Sequence, residues 1–496
     1  ETKKPTKPTK PTKTKLSKKE KEKEKDMLSE YRPLFERINV EKQNNLERRN
    51  KLLSGLLSCD GLSSLTDCGD DEERQILMTR KLELCAVICD FQIESSVELT
   101  RIENKKDLLL EVLQCMSSNK WNSIKLLQQC IETIWINLFR SLPDANMIKT
   151  DASDDEMDFR DPSWDHLQLI YELTFHVVTN THIDKKTMKK HLQGAFLENL
   201  IHLFSSADDR EPQYVKIIVH AIYGRFMALR KSIRKHLSDY CYKYVYTSTL
   251  RDITSWQGLP EILEIFCSIF QGLNVPVKPD YHIVLRNVIV PLHKSFHLDE
   301  FHEQLLQCCT QFVTKDPYSA PVILGGILKF WPKFSPLKEQ LFITEIVHIL
   351  NVCVRHPNIK QSDPAFATIT IAVLNKFVQC MTSPHHQVAE RSLMVWRDET
   401  VRICVDLHRE KIWPNIYKAL QFNKEKYWLS AIRNINRQIM SDFKRRDPEF
   451  FEKIELQQQS QQNDSFSESN KQEKISERAA RWNKLRQLAK PKNNNK

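Results

Sequence analysis

The chain has only 9 glycines in 496 residues, at positions 55, 61, 69, 194, 224, 258, 272, 325 and 326. None are spaced as G-x-G-x-x-G or G-x-x-x-x-G-K, so no phosphate-cradling nucleotide loop can be built from them. The G-x-S-x-G nucleophile elbow is missing too. Sheet-rich folds usually need more turn glycines than this, which favours an all-α chain. Cysteine is plentiful, at 13 residues, but C-x-x-C does not occur, and with it goes the spacing of a zinc framework. An odd cysteine count, no signal peptide and no long apolar run lead us to expect buried thiols, a reducing compartment and no transmembrane segment. There are 16 histidines, yet no H-E-x-x-H and no His/Asp cluster with metal spacing. The short Gly-Asp and Gly-Asn-His turns of two-metal phosphatases are also lacking. We therefore expect no catalytic residue, no metal and no cofactor.

Charge is present mainly at the ends. Residues 1–26 carry 11 Lys against 5 acids, or +6, and residues 456–496 carry 9 Lys/Arg against 4 acids, or +5. With a total of +10, residues 27–455 are left at 10 − 11, or −1. A neutral body argues against a nucleic-acid-binding repeat protein, which needs a basic stripe with stacking aromatics. Any nucleic-acid, lipid or acidic-partner contact would belong to the tails.

The organisation follows from composition and period. Residues 1–52 form a Lys/Thr/Pro-rich tail, disordered at first and partly helical from residue 27, because nothing apolar offsets the ordering entropy. Residues 53–73 read as a Ser/Gly/Asp linker, and 456–496 as a Gln/Asn/Lys-rich tail in which 474–490 could make a basic amphipathic helix. Between them, 74–455 is a succession of apolar periodic segments with short breaks such as Leu142-Pro143-Asp144 and Trp331-Pro332-Lys333. The pattern predicts helices that include 186–204, 213–237, 259–272, 364–381 and 385–406. Paired helices at roughly 40-residue spacing indicate an α-solenoid of degenerate HEAT- or armadillo-like repeats. One acidic break, with Asp151, Asp154, Asp155, Glu156 and Asp158, lacks the calcium-loop pattern and reads as a solvated loop, or else as a dock for a basic partner.

Two segments carry the functional reading. In 220–237, Ile222, Phe226, Leu229 and Ile233 form a core stripe, and His220, Tyr223, Met227, Arg230 and Arg234 lie roughly opposite. A merely solvated face does not need Tyr and Met, whereas a surface docking an apolar, acidic peptide does. In 259–273, Ile262, Phe266, Ile269 and Leu273 form a stripe that Ile265 widens, with Leu263 and Phe270 adding more apolar surface. This surplus is either core in a tightly packed repeat or the wall of an exposed groove, with Lys278 on its rim.

These residues are also recognisable. Lys81–Phe91 (KLELCAVICDF), Asn137–Pro143 (NLFRSLP), Trp164–Glu172 (WDHLQLIYE), His220–Lys235 (HAIYGRFMALRKSIRK), Pro291–Lys294 (PLHK), Ile327–Pro336 (ILKFWPKFSP) and Ser383–Trp396 (SPHHQVAERSLMVW) occur in order along the body. The chain resembles the B-prime family of regulatory subunits of protein phosphatase type 2A, with the tails outside the match. The resemblance implies a curved array of about eight HEAT-like repeats. It implies a subunit that does no catalysis, sits on a HEAT-repeat scaffold subunit, faces the catalytic subunit and brings substrates to it; the reducing compartment read from the cysteines is the cytoplasm, with the nucleus also open to a chain with Lys-rich tails. It also implies a concave groove for Leu-x-x-Ile-x-Glu motifs, formed here by His220, Tyr223, Arg230, Glu264, Ile265, Ile269 and Lys278. Two departures stand out: Ala221 where the family has Arg, and Tyr281 where it has His. Fewer cations should reduce the gain from a phosphorylated motif. A different class of function, a solenoid adaptor or transport receptor without the phosphatase, is separated from this one by association with the catalytic subunit.

Overall fold

The computed structural model describes residues 45–59, 62–93, 95–118, 121–142, 159–247, 256–356 and 363–457. The acidic break, residues 1–44 and 458–496, and with them the expected helix at 474–490, lie outside them. The described residues are helical, and no strand occurs among them.

Helix ends follow local chemistry. Ser123, Asp184, Ser335, Asp363 and Asp398 each accept a backbone N–H of the first turn they precede. Pro260, Pro279, Pro336 and Pro364 occupy first-turn positions, where a missing N–H costs nothing. The chain divides into two compact units. The first contains Glu1–Leu142, Glu156–Leu203 and Ile217–Leu229, and the second contains Pro143–Asp155, Phe204–Lys216 and Arg230–Lys496.

In the first unit, α1 (Asp71–Cys85) packs on α2 (Ser96–Ser118) and α3 (Ile124–Leu138), and α4 (Trp164–Thr179) packs on α2 and α3. Next come α5 (Lys185–Leu192), α6 (Ala195–His202) and the C-terminal part of α7 (Glu211–Arg225). The second unit holds α8 (Arg230–Thr247), α9 (Leu259–Gln271) and α10 (Pro279–Val284), which continues through 285–292. It then runs through α11 (His302–Lys315), α12 (Ala320–Lys329), α13 (Pro336–Arg355), α14 (Pro364–Met381), α15 (His386–Val395), α16 (Glu399–Leu407), α17 (Arg409–Lys426) and α18 (Ser430–Arg446). Neighbours recur with a regular stagger: α9 on α11, α11 on α13, α13 on α15, α14 on α17.

Polar ties show the repeat length directly. Asn137 donates to the Cys85 carbonyl 52 residues back at 3.0 Å, Cys308 to Leu263 over 45 residues at 3.0 Å, and Asn423 to Met381 over 42 residues at 2.9 Å. The ties to Cys85 and Met381 satisfy carbonyls at helix ends inside the core, where an unpaired one would cost about 1–3 kcal/mol. Such spacing within each unit is the mark of stacked helical pairs.

Several expectations change in detail. The single helix expected over 213–237 is two helices, α7 and α8, joined by a 3-10 turn at Met227–Leu229. Gly224 weakens the end of α7, and the turn buries Phe226 and Leu229, so the core stripe survives the break. The helix over 186–204 breaks at Gly194, whose φ of 67° an L-residue rarely adopts. The helix over 385–406 breaks where Asp398 caps α16. Residues 45–57 are helical and cross into the expected linker, with Leu56 fully buried, because Leu52 and Leu56 supply an i, i+4 contact that the Ser and Gly around them obscure. All thirteen cysteines are free, and ten are buried. α14 is long and apolar enough to cross a membrane by length and composition. In this fold it buries Phe366, Val373, Leu374, Phe377 and Met381 against α12, α15 and α17.

Candidate functional site

The candidate residues are divided between the units. His220 and Tyr223 lie on the first-unit part of α7, His220 exposed and Tyr223 half-buried. Arg230, Glu264, Ile265, Ile269 and Lys278 belong to the second unit. The arrangement described next is that of the second unit alone.

The basic N-terminal face of α8 meets α10. The Arg234 guanidinium sits over the Tyr281 ring, 4.9 Å from its centroid. Such a contact contributes about 0.5–1 kcal/mol at an exposed site. Arg230 lies one turn before Arg234 on the same face of α8, and Lys278 one turn before Tyr281 at the start of α10. Two cations therefore stand N-terminal to the stacked pair, with Arg230 half-buried and Lys278 exposed. Tyr281, the departure noted in the sequence, thus holds Arg234 in place. His282 beside it packs edge-on against Phe312 at 5.4 Å and lies 3.7 Å from the Asp316 carboxylate.

α9 supplies the other side chains. Glu264 is half-buried and accepts a hydrogen bond from Lys216 Nζ at 2.6 Å. Glu261, one turn earlier, is bonded by Gln213 Nε2 at 2.5 Å, and burial pushes its carboxyl upward. Both ties come from the N-terminal part of α7, so α7 fixes the polar edge of α9. Ile265 and Ile269 are 1% and 6% exposed. The apolar surplus on α9 therefore goes largely into the core: Leu263, Phe266 and Phe270 are fully buried, and Phe270 meets Phe312 edge-on at 5.1 Å. Of the two readings of 259–273, core packing accounts for most of the surface.

Lys216 and the Arg234–Tyr281 stack were not singled out from sequence as parts of the site. Lys216 lies four residues before His220 on α7, and that spacing was the available signal. Arg225 was missed as well. It bonds the Val178 carbonyl at the end of α4 and so closes a helix of the first unit.

An acidic peptide side chain at the start of α8 would meet the planar guanidinium fork of Arg230. Arg suits a carboxylate better than Lys does, because its two parallel N–H bonds match the two oxygens. Nothing in this arrangement pairs a nucleophile with a base, so it suits recognition.

The comparisons with known proteins agree in kind. The family model described as protein phosphatase 2A regulatory B subunit (B56 family) matches residues 62–489. The match reaches both into the expected linker and into the C-terminal tail. In Arabidopsis thaliana, the B' beta isoform of the 57 kDa regulatory subunit of serine/threonine protein phosphatase 2A is 34% identical over 79% of this chain and 76% of its own length. The B' epsilon isoform of the same plant is 32% identical over 84% of this chain and 81% of its own, and the B' theta isoform 33% over 76% and 75%.

Proposed function

The chain belongs to the B56 family of regulatory B subunits of protein phosphatase 2A, and from that membership we propose that it docks on the scaffold and catalytic subunits of the phosphatase and brings substrates to them through short Leu-x-x-Ile-x-Glu motifs. Its relatives are named regulatory subunits, so the chain regulates and does not catalyse. It would raise dephosphorylation by effective concentration, holding a substrate near a catalytic centre on another chain.

The observation that supports motif binding is the Arg234–Tyr281 stack, which fixes the face of α8 that also carries Arg230. The motif's Glu would take Arg230. Its apolar residues would meet α9 near Ile265 and Ile269, whose low exposure limits them to edge contacts. His220 and Tyr223 remain candidates in the first unit.

Calorimetry of the full chain with a Leu-x-x-Ile-x-Glu peptide tests this. Removing a charge-assisted hydrogen bond costs about 1.5–3 kcal/mol, so Arg230→Glu should weaken the peptide roughly 10- to 100-fold. The same variant should still co-purify the scaffold and catalytic subunits with phosphatase activity. No binding of the peptide to the unaltered chain would reject the motif reading while leaving family membership in place.

A second surface bears on docking. Phe296, Phe334 and Trp428 are 68%, 95% and 63% exposed, on connections of the second unit. These connections are tied in sequence: Lys338 Nζ donates to Ser295 O at 2.6 Å, Gln340 to Gln387 at 3.4 Å, and Trp428 Nε1 to Pro384 O at 3.2 Å. Exposed aromatics along one connected edge are more typical of an interface than of a solvated surface. Phe334→Ser combined with Phe296→Ser should lower recovery of the scaffold subunit in a pull-down and leave the melting temperature unchanged. Full recovery would remove this edge from the docking surface.

A further inference from the structure

Four ligand-type side chains meet inside the second unit and take no part in peptide recognition. His293 follows the helical segment 279–292, His302 is the first residue of α11, Cys309 lies two turns further along the same face, and Glu345 projects from α13. The ligand atoms of His293, Cys309 and Glu345 all lie within 4.8 Å of one another, and all three residues are buried. His302 Nε2 approaches the second carboxylate oxygen, Glu345 Oε2, at 3.0 Å. The ligands come from three separate elements, which is why no metal spacing appears in the sequence.

The polarity of these contacts demands a cation. His293 Nδ1 faces the Val290 carbonyl oxygen at 2.9 Å, and His293 Nε2 faces Glu345 Oε1 at 2.9 Å. Both partners are acceptors, and a neutral imidazole has one N–H to give. Either a second proton or a metal ion must stand between His293 and Glu345. An Nδ1–H bond to a backbone carbonyl is the arrangement that orients a metal-ligating histidine and frees Nε2.

We propose that His293, His302, Cys309 and Glu345 form a closed, structural zinc site in the core of the second unit. Two neutral imidazoles, one thiolate and one carboxylate leave a divalent ion with no net charge, the condition a buried site must meet. Four donors of mixed nitrogen, sulfur and oxygen type suit tetrahedral zinc, whereas magnesium and calcium take more oxygens. Entry of the ion releases two protons to solvent, the one shared between His293 and Glu345 and the one on the Cys309 thiol. His302 keeps its single proton but shifts it to Nδ1.

The test uses the full chain, purified without chelator and dialysed against zinc. Metal analysis should find about one zinc per chain, and Cys309→Ser and His302→Gln should each lose most of it. Replacement of zinc by cobalt(II) should give a thiolate-to-cobalt charge-transfer band, absent from Cys309→Ser while helical circular dichroism is retained. Should a variant fail to fold, the cobalt spectrum of the unaltered chain still decides. Less than about a tenth of a zinc per chain, or a cobalt spectrum without a thiolate band, would overturn the proposal and leave the cluster holding protons alone.

Discussion

Replacing Gly258 by Ala is expected to destabilise the second unit by about 3–5 kcal/mol, as the sum of a strained backbone and a steric clash. Gly258 precedes α9 with a φ of 75°, in the left-handed region where a Cβ is unfavourable. A Cβ there would stand 2.3 Å from the Phe204 carbonyl oxygen, 2.7 Å from Phe204 Cβ and 2.9 Å from its carbonyl carbon. Two of those three atoms are backbone, so no rotamer change relieves the clash and the start of α9 must move. Gly69 is the control, since a Cβ at that position meets nothing within 4 Å. The Gly258 variant should melt roughly 10 °C lower, at about 2–4 °C per kcal/mol for a unit of this size, while Gly69→Ala shifts little. Because α9 carries Glu264, Ile265 and Ile269, motif-peptide binding should weaken in the same variant. Equal melting temperatures for both variants would mean that the Phe204–Gly258 approach does not hold α9.

The class of the fold was legible because the helical period runs almost unbroken through the body, and α14 falls on the residues that period predicts, 364–381. The breaks were less legible. Nothing between Gly224 and Arg230 looks like a loop: the segment is apolar and basic, with no Pro or Asn, and both Phe226 and Leu229 belong to the stripe of a continuous helix. Only packing shows that the chain turns there, burying both side chains in a one-turn connector. Gly194 and Gly258 could be seen as glycines but not as left-handed ones, because that conformation is imposed by what each must join. The helix at 45–57 was obscured in the same way, by a composition suited to a linker.

The site was legible where one helix carries it and illegible where helices meet. The cations of α8 stand on one face as spacing requires. What holds them does not follow from spacing, since Tyr281 lies 47 residues beyond Arg234 and its ring reaches the guanidinium only through the packing of α8 near α10. Lys216 reaches Glu264 across 48 residues. The apolar residues of α9 show the opposite limit. Periodicity can count surplus hydrophobic positions, but it cannot say whether a groove or the next repeat covers them, and here Phe312 of α11 takes up much of that surface.

Acid is expected to weaken the first unit before carboxylates as a class begin to titrate. His166 on α4 is 3% exposed, and its Nε2–H donates to the Ile102 carbonyl at 2.9 Å. Its Nδ1 is buried without a partner, and the Phe91 ring packs edge-on against it at 5.0 Å. Burial, helped by the nearby charge of Lys105 and to a lesser degree Lys106, lowers its pKa from 6.5 to about 4, with the Ile102 hydrogen bond and then Asp165 opposing. The folded chain therefore resists a proton that the unfolded chain accepts. The stability contributed by neutral His166 is complete above pH 6.5 and is lost as pH falls from there towards about 4. At 1.36 kcal/mol per unit, the loss approaches about 3 kcal/mol, of which about 2 kcal/mol has gone by about pH 5. His166→Gln keeps a donor for Ile102 and removes the titration, so its stability should vary less over the same range. Denaturant midpoints for the two proteins at about pH 7 and about pH 5 measure the difference. Parallel losses in both would assign the acid sensitivity to other groups and leave His166 as a packing residue.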